Sequence, residues 1–162
     1  MTPGDDGEIV TLTACDLQSP PEGSDDNVCG SDPDVQRDCE DACAGGDTCS
    51  CVLLGLLHYQ RGELDASVGF YGQGCDRFDA AACAGMGRSL MELGRNAEAE
   101  RPLRYACTYS AAWCEQLGLA FLAQEYYVAS VEPLTMACDA GVSSACWRIA
   151  DLYYRAGVSE DA

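Results

Sequence analysis

A pair of cysteines recurs along this chain at a nearly constant interval. The pairs are Cys43 with Cys51, Cys75 with Cys83, Cys107 with Cys114, and Cys138 with Cys146. Their first members lie 32, 32 and 31 residues apart and their second members 32, 31 and 32. That interval is the length of one helix–turn–helix unit, so the spacing constrains the chain to an array of such units. Twelve cysteines among 162 residues, against the single histidine His58, then set the chemistry of the array. An even, high count in a small acidic chain points to disulfides and an oxidising compartment. Zinc is the rival reading. It asks for Cys-x2-4-Cys knuckles or histidine partners, and the periodic pairs are too widely spaced for a knuckle.

The apolar positions keep the same register. Three residues after each second cysteine stand Leu54, Met86, Leu117 and Ile149, followed directly by Gly55, Gly87, Gly118 and Ala150. Three residues further on are His58, Leu90, Phe121 and Tyr153. Spacings of i, i+3, i+4 and i+7 make one stripe on a helix of period 3.6. A turn glycine follows at Gly62, Gly94 and Gly157, with Glu125 as the exception. In the second half of each unit a small residue (Ser67, Ala99, Ser130) stands four before a large one (Tyr71, Leu103, Leu134). Neither helix can bury its stripe alone, so the units must stack into a solenoid. Helices are expected over 34–43, 51–61, 64–74, 80–93, 97–107, 111–123, 127–139 and 143–156. Pro102 and Pro133 fall inside second helices, which should kink or start late there because proline removes a backbone bond.

The stripe Cys51, Leu54, Gly55, His58 with Ser67-x3-Tyr71 resembles the tetratricopeptide pattern, with cysteine in place of its large aromatics. The Ala-Cys ending of the second helix (Ala106-Cys107, Ala137-Cys138), followed by a cysteine early in the next unit, is similar to SEL-like repeats of cysteine-rich secreted bacterial proteins. The resemblance covers residues ~34–157, with units shorter than usual and a fourth that stops after its first helix. It implies an all-α fold, a right-handed α-solenoid of about 3.5 antiparallel helix pairs over residues 33–162. Residues 1–32 hold three of the six prolines with many Asp and Gly, a composition that buries little apolar surface and reads as an irregular acidic arm. The resemblance also implies that the first helices line a concave groove. The residues set to face that groove include Val52, Leu56, Tyr59, Arg88, Met91, Leu119, Leu122, Trp147 and Tyr154. Contiguous exposed apolar residues mark interaction sites, and Tyr, Trp, Met and Arg are enriched at interface cores. The competing reading places some of these residues inside the stack, or lets the arm fill the groove.

Each periodic pair brackets the turn between one unit's second helix and the next unit's first. In helices joined by a short loop those positions reach the Cα separation of a disulfide, about 4.4–6.8 Å. One such ring contributes roughly 2.5 kcal/mol on the chain-entropy estimate. The remaining cysteines are Cys15, Cys29, Cys39 and Cys49, for which the expectation is Cys39 with Cys49 and Cys15 with Cys29. The alternative is one metal held by Cys39, Cys43, Cys49 and Cys51. Asp25, Asp26 and Asp32 lack the regular spacing of calcium ligands.

Charge narrows the function further. Residues 1–50 hold 13 acids and one base, Arg37, whereas residues 51–162 hold 14 acids and 8 bases. A chain of net charge −18 will not hold nucleic acid through its phosphates and is repelled by anionic lipid surfaces. No apolar run approaches the ~20 residues that span a bilayer. Residues 1–8 lack the basic and apolar segments of a secretory leader, so a mature, exported chain is expected, periplasmic, secreted or on a cell surface. All nine cations are arginine. Without lysine, the Ser-x-x-Lys chemistry associated with β-lactam binding in the cysteine-rich branch cannot operate. Without Cys-x-x-Cys, thiol–disulfide exchange lacks its motif. His58 occupies a stripe position and reads as a packed helix histidine. The expectation is therefore a non-enzymatic module without cofactor or metal, binding a protein or peptide partner, with a thiol–disulfide or β-lactam-type enzyme as the alternative.

Overall fold

The computed structural model describes residues 29–30 and 32–157. Among them are eight helices and no strand: α1 Pro33–Ala44, α2 Thr48–Gln60, α3 Leu64–Asp76, α4 Ala80–Glu92, α5 Asn96–Tyr109, α6 Ala111–Ala123, α7 Tyr127–Asp139 and α8 Ser143–Arg155. Each expected helix is present. α5 and α7 run unbroken through Pro102 and Pro133, so neither starts late. Both prolines are buried, and each removes one helical bond, to the Glu98 and Ala129 carbonyls. Most of the arm (1–28), with Cys15 and the Asp25 and Asp26 positions, lies outside the described residues.

The turns explain the repeat length. Six of the seven close with a backbone bond that returns from the third residue past the helix to its last turn. Examples are Glu63 N–H to His58 at 2.9 Å, Arg95 N–H to Leu90 at 2.9 Å and Val142 N–H to Ala137 at 3.0 Å. That closure requires a left-handed residue just beyond the helix. Glycine supplies it at Gly46, Gly62, Gly94 and Gly141, and Phe78 and Glu125 adopt it at φ 63° and 62°. The exception is the single-residue turn at Ser110, with extended φ −145°. Its Cys107–Cys114 ring is one residue shorter than the others, which accounts for the one irregular step in the repeat.

Each helix packs against its neighbours in sequence, and the short turns force consecutive helices antiparallel. Asp32, Asp47 and Asp79 cap the helices that follow them, accepting from Asp34 N at 2.9 Å, Ser50 N at 3.2 Å and Ala82 N at 2.8 Å. The core runs along the row in three clusters, centred on Cys43, Cys51 and Leu54, on Leu90, Leu103 and Phe121, and on Cys114, Leu134 and Ala145. Close approach depends on the periodic glycines. A Cβ at Gly55 would lie 2.6 Å from the Tyr71 ring, at Gly87 2.4 Å from Leu103, and at Gly118 2.5 Å from Leu134. The large residue of each second helix thus sits in the glycine notch of the first.

The four periodic pairs are disulfides, as their spacing predicts. Cys43 bonds to Cys51 at a Cα separation of 4.8 Å and Cys75 to Cys83 at 4.5 Å. Cys107 bonds to Cys114 at 4.5 Å, and Cys138 bonds to Cys146 at 4.7 Å. Cys146, in the first turn of α8, thereby ties the last described helix to the end of α7. The expected Cys39–Cys49 pairing is not formed. Cys39 bonds to Cys29 instead, at a Cα separation of 5.7 Å, which also excludes Cys15 with Cys29. Helix geometry gives the reason. Cys51 faces α1 through its bond to Cys43, and Cys49, two residues earlier, lies about 200° round α2 from that bond. Cys49 is itself disulfide-bonded, and no described cysteine is free. The four thiols of Cys39, Cys43, Cys49 and Cys51 therefore do not form a metal set.

Candidate interaction surfaces

The first helices α2, α4, α6 and α8 form one side of the row, and α2 meets α4, and α4 meets α6, more closely than the adjacent second helices meet. Over α2, α4 and α6 the row consequently closes on the first-helix side and splays between α3, α5 and α7. Splaying leaves a cleft of about 480 Å³ between α3 and α5, floored by Met86 and Leu90 of α4. A second, of about 400 Å³, lies between α5 and α7 over Leu117 and Phe121. Over α2 a phenyl ring takes the corresponding place, since Phe70 stacks on His58 at 5.1 Å; its counterparts in the next two units are Pro102 and Pro133.

On the first-helix side the structure joins Tyr59 and Arg88 across α2 and α4. The Arg88 guanidinium lies 4.4 Å over the Tyr59 ring and its Nε donates to the Tyr59 hydroxyl at 2.9 Å. That hydroxyl donates in turn to the Glu92 carboxylate. Burial, reinforced by the Glu92 hydrogen bond, raises the Tyr59 pKa above its ordinary value against the opposing pull of Arg88. Leu56 is exposed beside them, and Val52 and Leu119 are half-buried along the same side. Met91 and Leu122 are divided between surface and interior. Met91 packs on the Leu90–Leu103–Phe121 cluster and Leu122 on the Cys114–Leu134–Ala145 cluster. Trp147 and Tyr154 stand apart at the far end on α8, both more than two-thirds exposed.

His58 is buried, with Nδ1 2.6 Å from a Glu63 carboxylate oxygen and Nε2 without a partner among the described residues. Its neighbours are a carboxylate and a phenyl ring, the surroundings of a packed residue. Sequence reasoning missed Arg77. From the end of α3 its guanidinium donates to the Cys43, Gln73 and Ala44 carbonyls at 3.2, 3.3 and 3.3 Å. It thereby covers the negative end of α1. No periodicity marks it, because the equivalent positions are Gly45, Tyr109 and Ala140.

Among the described residues no group of His, Cys, Asp and Glu could hold a metal, and no helix is long and apolar enough to cross a membrane. Compared with known proteins, the chain matches no family model and no curated sequence.

Proposed function

We propose that this protein is a non-enzymatic binding scaffold of an oxidising, extracytoplasmic compartment. In this reading it is a short, right-handed SEL-like solenoid that takes a protein or peptide segment along its first-helix side as part of a larger envelope or surface complex. The observation that carries the reading is the Leu56, Tyr59, Arg88 and Leu119 stretch. It sets an arginine and a tyrosine, already fixed by each other, beside aliphatic side chains open to solvent in whole or in part. Anchors held in place before binding lose little side-chain entropy on docking, which favours affinity. Five disulfides among the described residues support the compartment, since such bonds persist where the medium is oxidising. A thiol–disulfide or β-lactam-type activity finds less support, because every described cysteine is bonded and lysine is absent.

The test is recovery of a partner from periplasmic or secreted extract on the immobilised, oxidised chain. Leu56→Ala, Tyr59→Ala and Leu119→Ala should each reduce the recovered partner, while Arg104→Ala on the opposite side should not. Equal recovery by all four variants would refute the first-helix side as the binding surface.

A further inference from the structure

The two ends of the row differ in kind. At the α1 end of the described row the helix exposes Asp34, Asp38 and Asp41 with Val35 as its single exposed large apolar residue, a polar face. At the other end α8 exposes Trp147, Ala150, Tyr153 and Tyr154, at 70 % for Trp147 and 71 % for Tyr154. Spacings of three and four residues set these on one helix face with Ala150 at its centre. The start of α7 adjoins that face. Tyr127, Val128 and Val131 meet Leu152 and Tyr153 around a cleft of about 420 Å³. Tyr126, Tyr127 and Val128 are exposed there, whereas the same positions in the earlier units are Glu63, Leu64 and Asp65, and Arg95, Asn96 and Ala97. Five large aromatics, each of ~150–250 Å² and about half or more exposed, present several hundred Å². That is the scale of one side of a standard interface, about 800 Å².

From this face we infer that two copies of the chain pair end to end through α8, antiparallel, about a twofold axis at Ala150. Three observations select a second copy. First, Ala150 stands where the three earlier first helices carry glycine, and each of those glycines receives a large side chain at a distance that leaves no room for a Cβ. The Ala150 methyl fills that notch, so the face does not accept another second helix packed in the same way. Yet alanine is small enough to let two helices cross closely. Second, the stripe is complementary to itself. An antiparallel crossing at Ala150 brings Tyr153, three residues after it, beside Trp147 of the other copy, three residues before it, and the twofold repeats the contact. An isologous interface requires such self-matching. Third, α8 is the only one of the eight helices with a positive balance, Arg148 and Arg155 against Asp151, while α1 carries four acids and one base. Joining the α8 ends therefore sets the most acidic ends of two −18 chains farthest apart. A head-to-tail arrangement would instead cover the aromatic face with the Asp34, Asp38 and Asp41 carboxylates, which would lose their water without a matching set of cations.

Sedimentation of the full, oxidised chain over a concentration series decides the matter. A reversible species of twice 17.2 kDa is expected, tightening as salt screens the net charge. Ala150→Glu, which opposes two carboxylates at the axis, and Trp147→Ala should each weaken it at least about tenfold. Both sites are exposed in the single chain, so unchanged helical circular dichroism should accompany the loss. In a Trp113→Phe background, emission from Trp147 should shift to the blue with dimer formation. A monomer at every concentration, a dimer indifferent to both substitutions, or growth into longer open assemblies would each overturn the inference.

Discussion

Phe78 and Glu125 hold left-handed backbone angles that the neighbouring turns assign to glycine. The turn geometry imposes them, because the closing backbone bonds at Asp79 and Tyr126 form in no other conformation. Glu125 is exposed and its side chain makes no hydrogen bond or ion pair among the described residues, so only strain is at stake there. Glu125→Gly should therefore raise stability by about 0.5–1 kcal/mol, the relief of strain exceeding the added chain entropy. A thermal scan should show a rise of a few degrees, and a fall would place the strain elsewhere. Tyr71 offers a second test. Burial raises its pKa to about 12, so the folded state keeps the phenol neutral after the unfolded chain has ionised. Its contribution is whole below pH ~10 and is lost as pH climbs through 10 to about 12. Tyr71→Phe should leave denaturant midpoints near neutrality almost unchanged and reduce the alkaline loss. Part of that loss will persist, because Tyr105, hydrogen-bonded to Tyr109, is also raised to about 12.

At the scale of the helix pair, the glycine notch decides how closely two elements approach. Gly87→Ala would bring a methyl to 2.4 Å from Leu103, itself fully buried, and should cost about 1–3 kcal/mol through overpacking. The same change in reverse at the end of the row, Ala150→Gly, meets no partner helix within the described chain. It should cost only the helix propensity of about 1 kcal/mol. Urea midpoints of the two variants separate these effects, and no loss, or a gain, on Gly87→Ala would deny the notch its role. The disulfide at each unit boundary acts on the unfolded chain as much as on the pair. Replacing Cys75 and Cys83 together by Ala should lower stability by roughly 2.5 kcal/mol while leaving the helices in place.

For the whole molecule, the row is stabilised locally and repeatedly, since most packing joins helices adjacent in sequence and each boundary carries its own disulfide, from Cys43–Cys51 to Cys138–Cys146. Reduction should therefore loosen the array along its length rather than at one point, in the manner of a one-dimensional stack. Hydrogen exchange after mild reduction should show protection falling in α1 through α8 alike. Protection retained throughout would show that the apolar contacts suffice. Much of this organisation was legible in the sequence because helix period, turn glycine and cysteine recur in one register. The α1 end was less legible. Cys29, Cys39 and Cys49 have no counterparts at matching positions in later units, so no periodicity marks the Cys29–Cys39 bond.

The sequence by itself determined the number of helices, their register, the four inter-unit disulfides and the glycine notches, because each depends on residues close along the chain. Only the tertiary structure decided the rest. Met91 and Leu122 turn partly inward because neighbouring helices cover them, and Arg77 caps a helix more than thirty residues away. Trp147 and Tyr154 separate from Tyr59 and Arg88 and fall on the open end of the row. These outcomes rest on how whole helices cover one another, a property of distant segments that no local spacing encodes. The recurring cysteines specified the repeat, and the packing determined which of its faces remained uncovered.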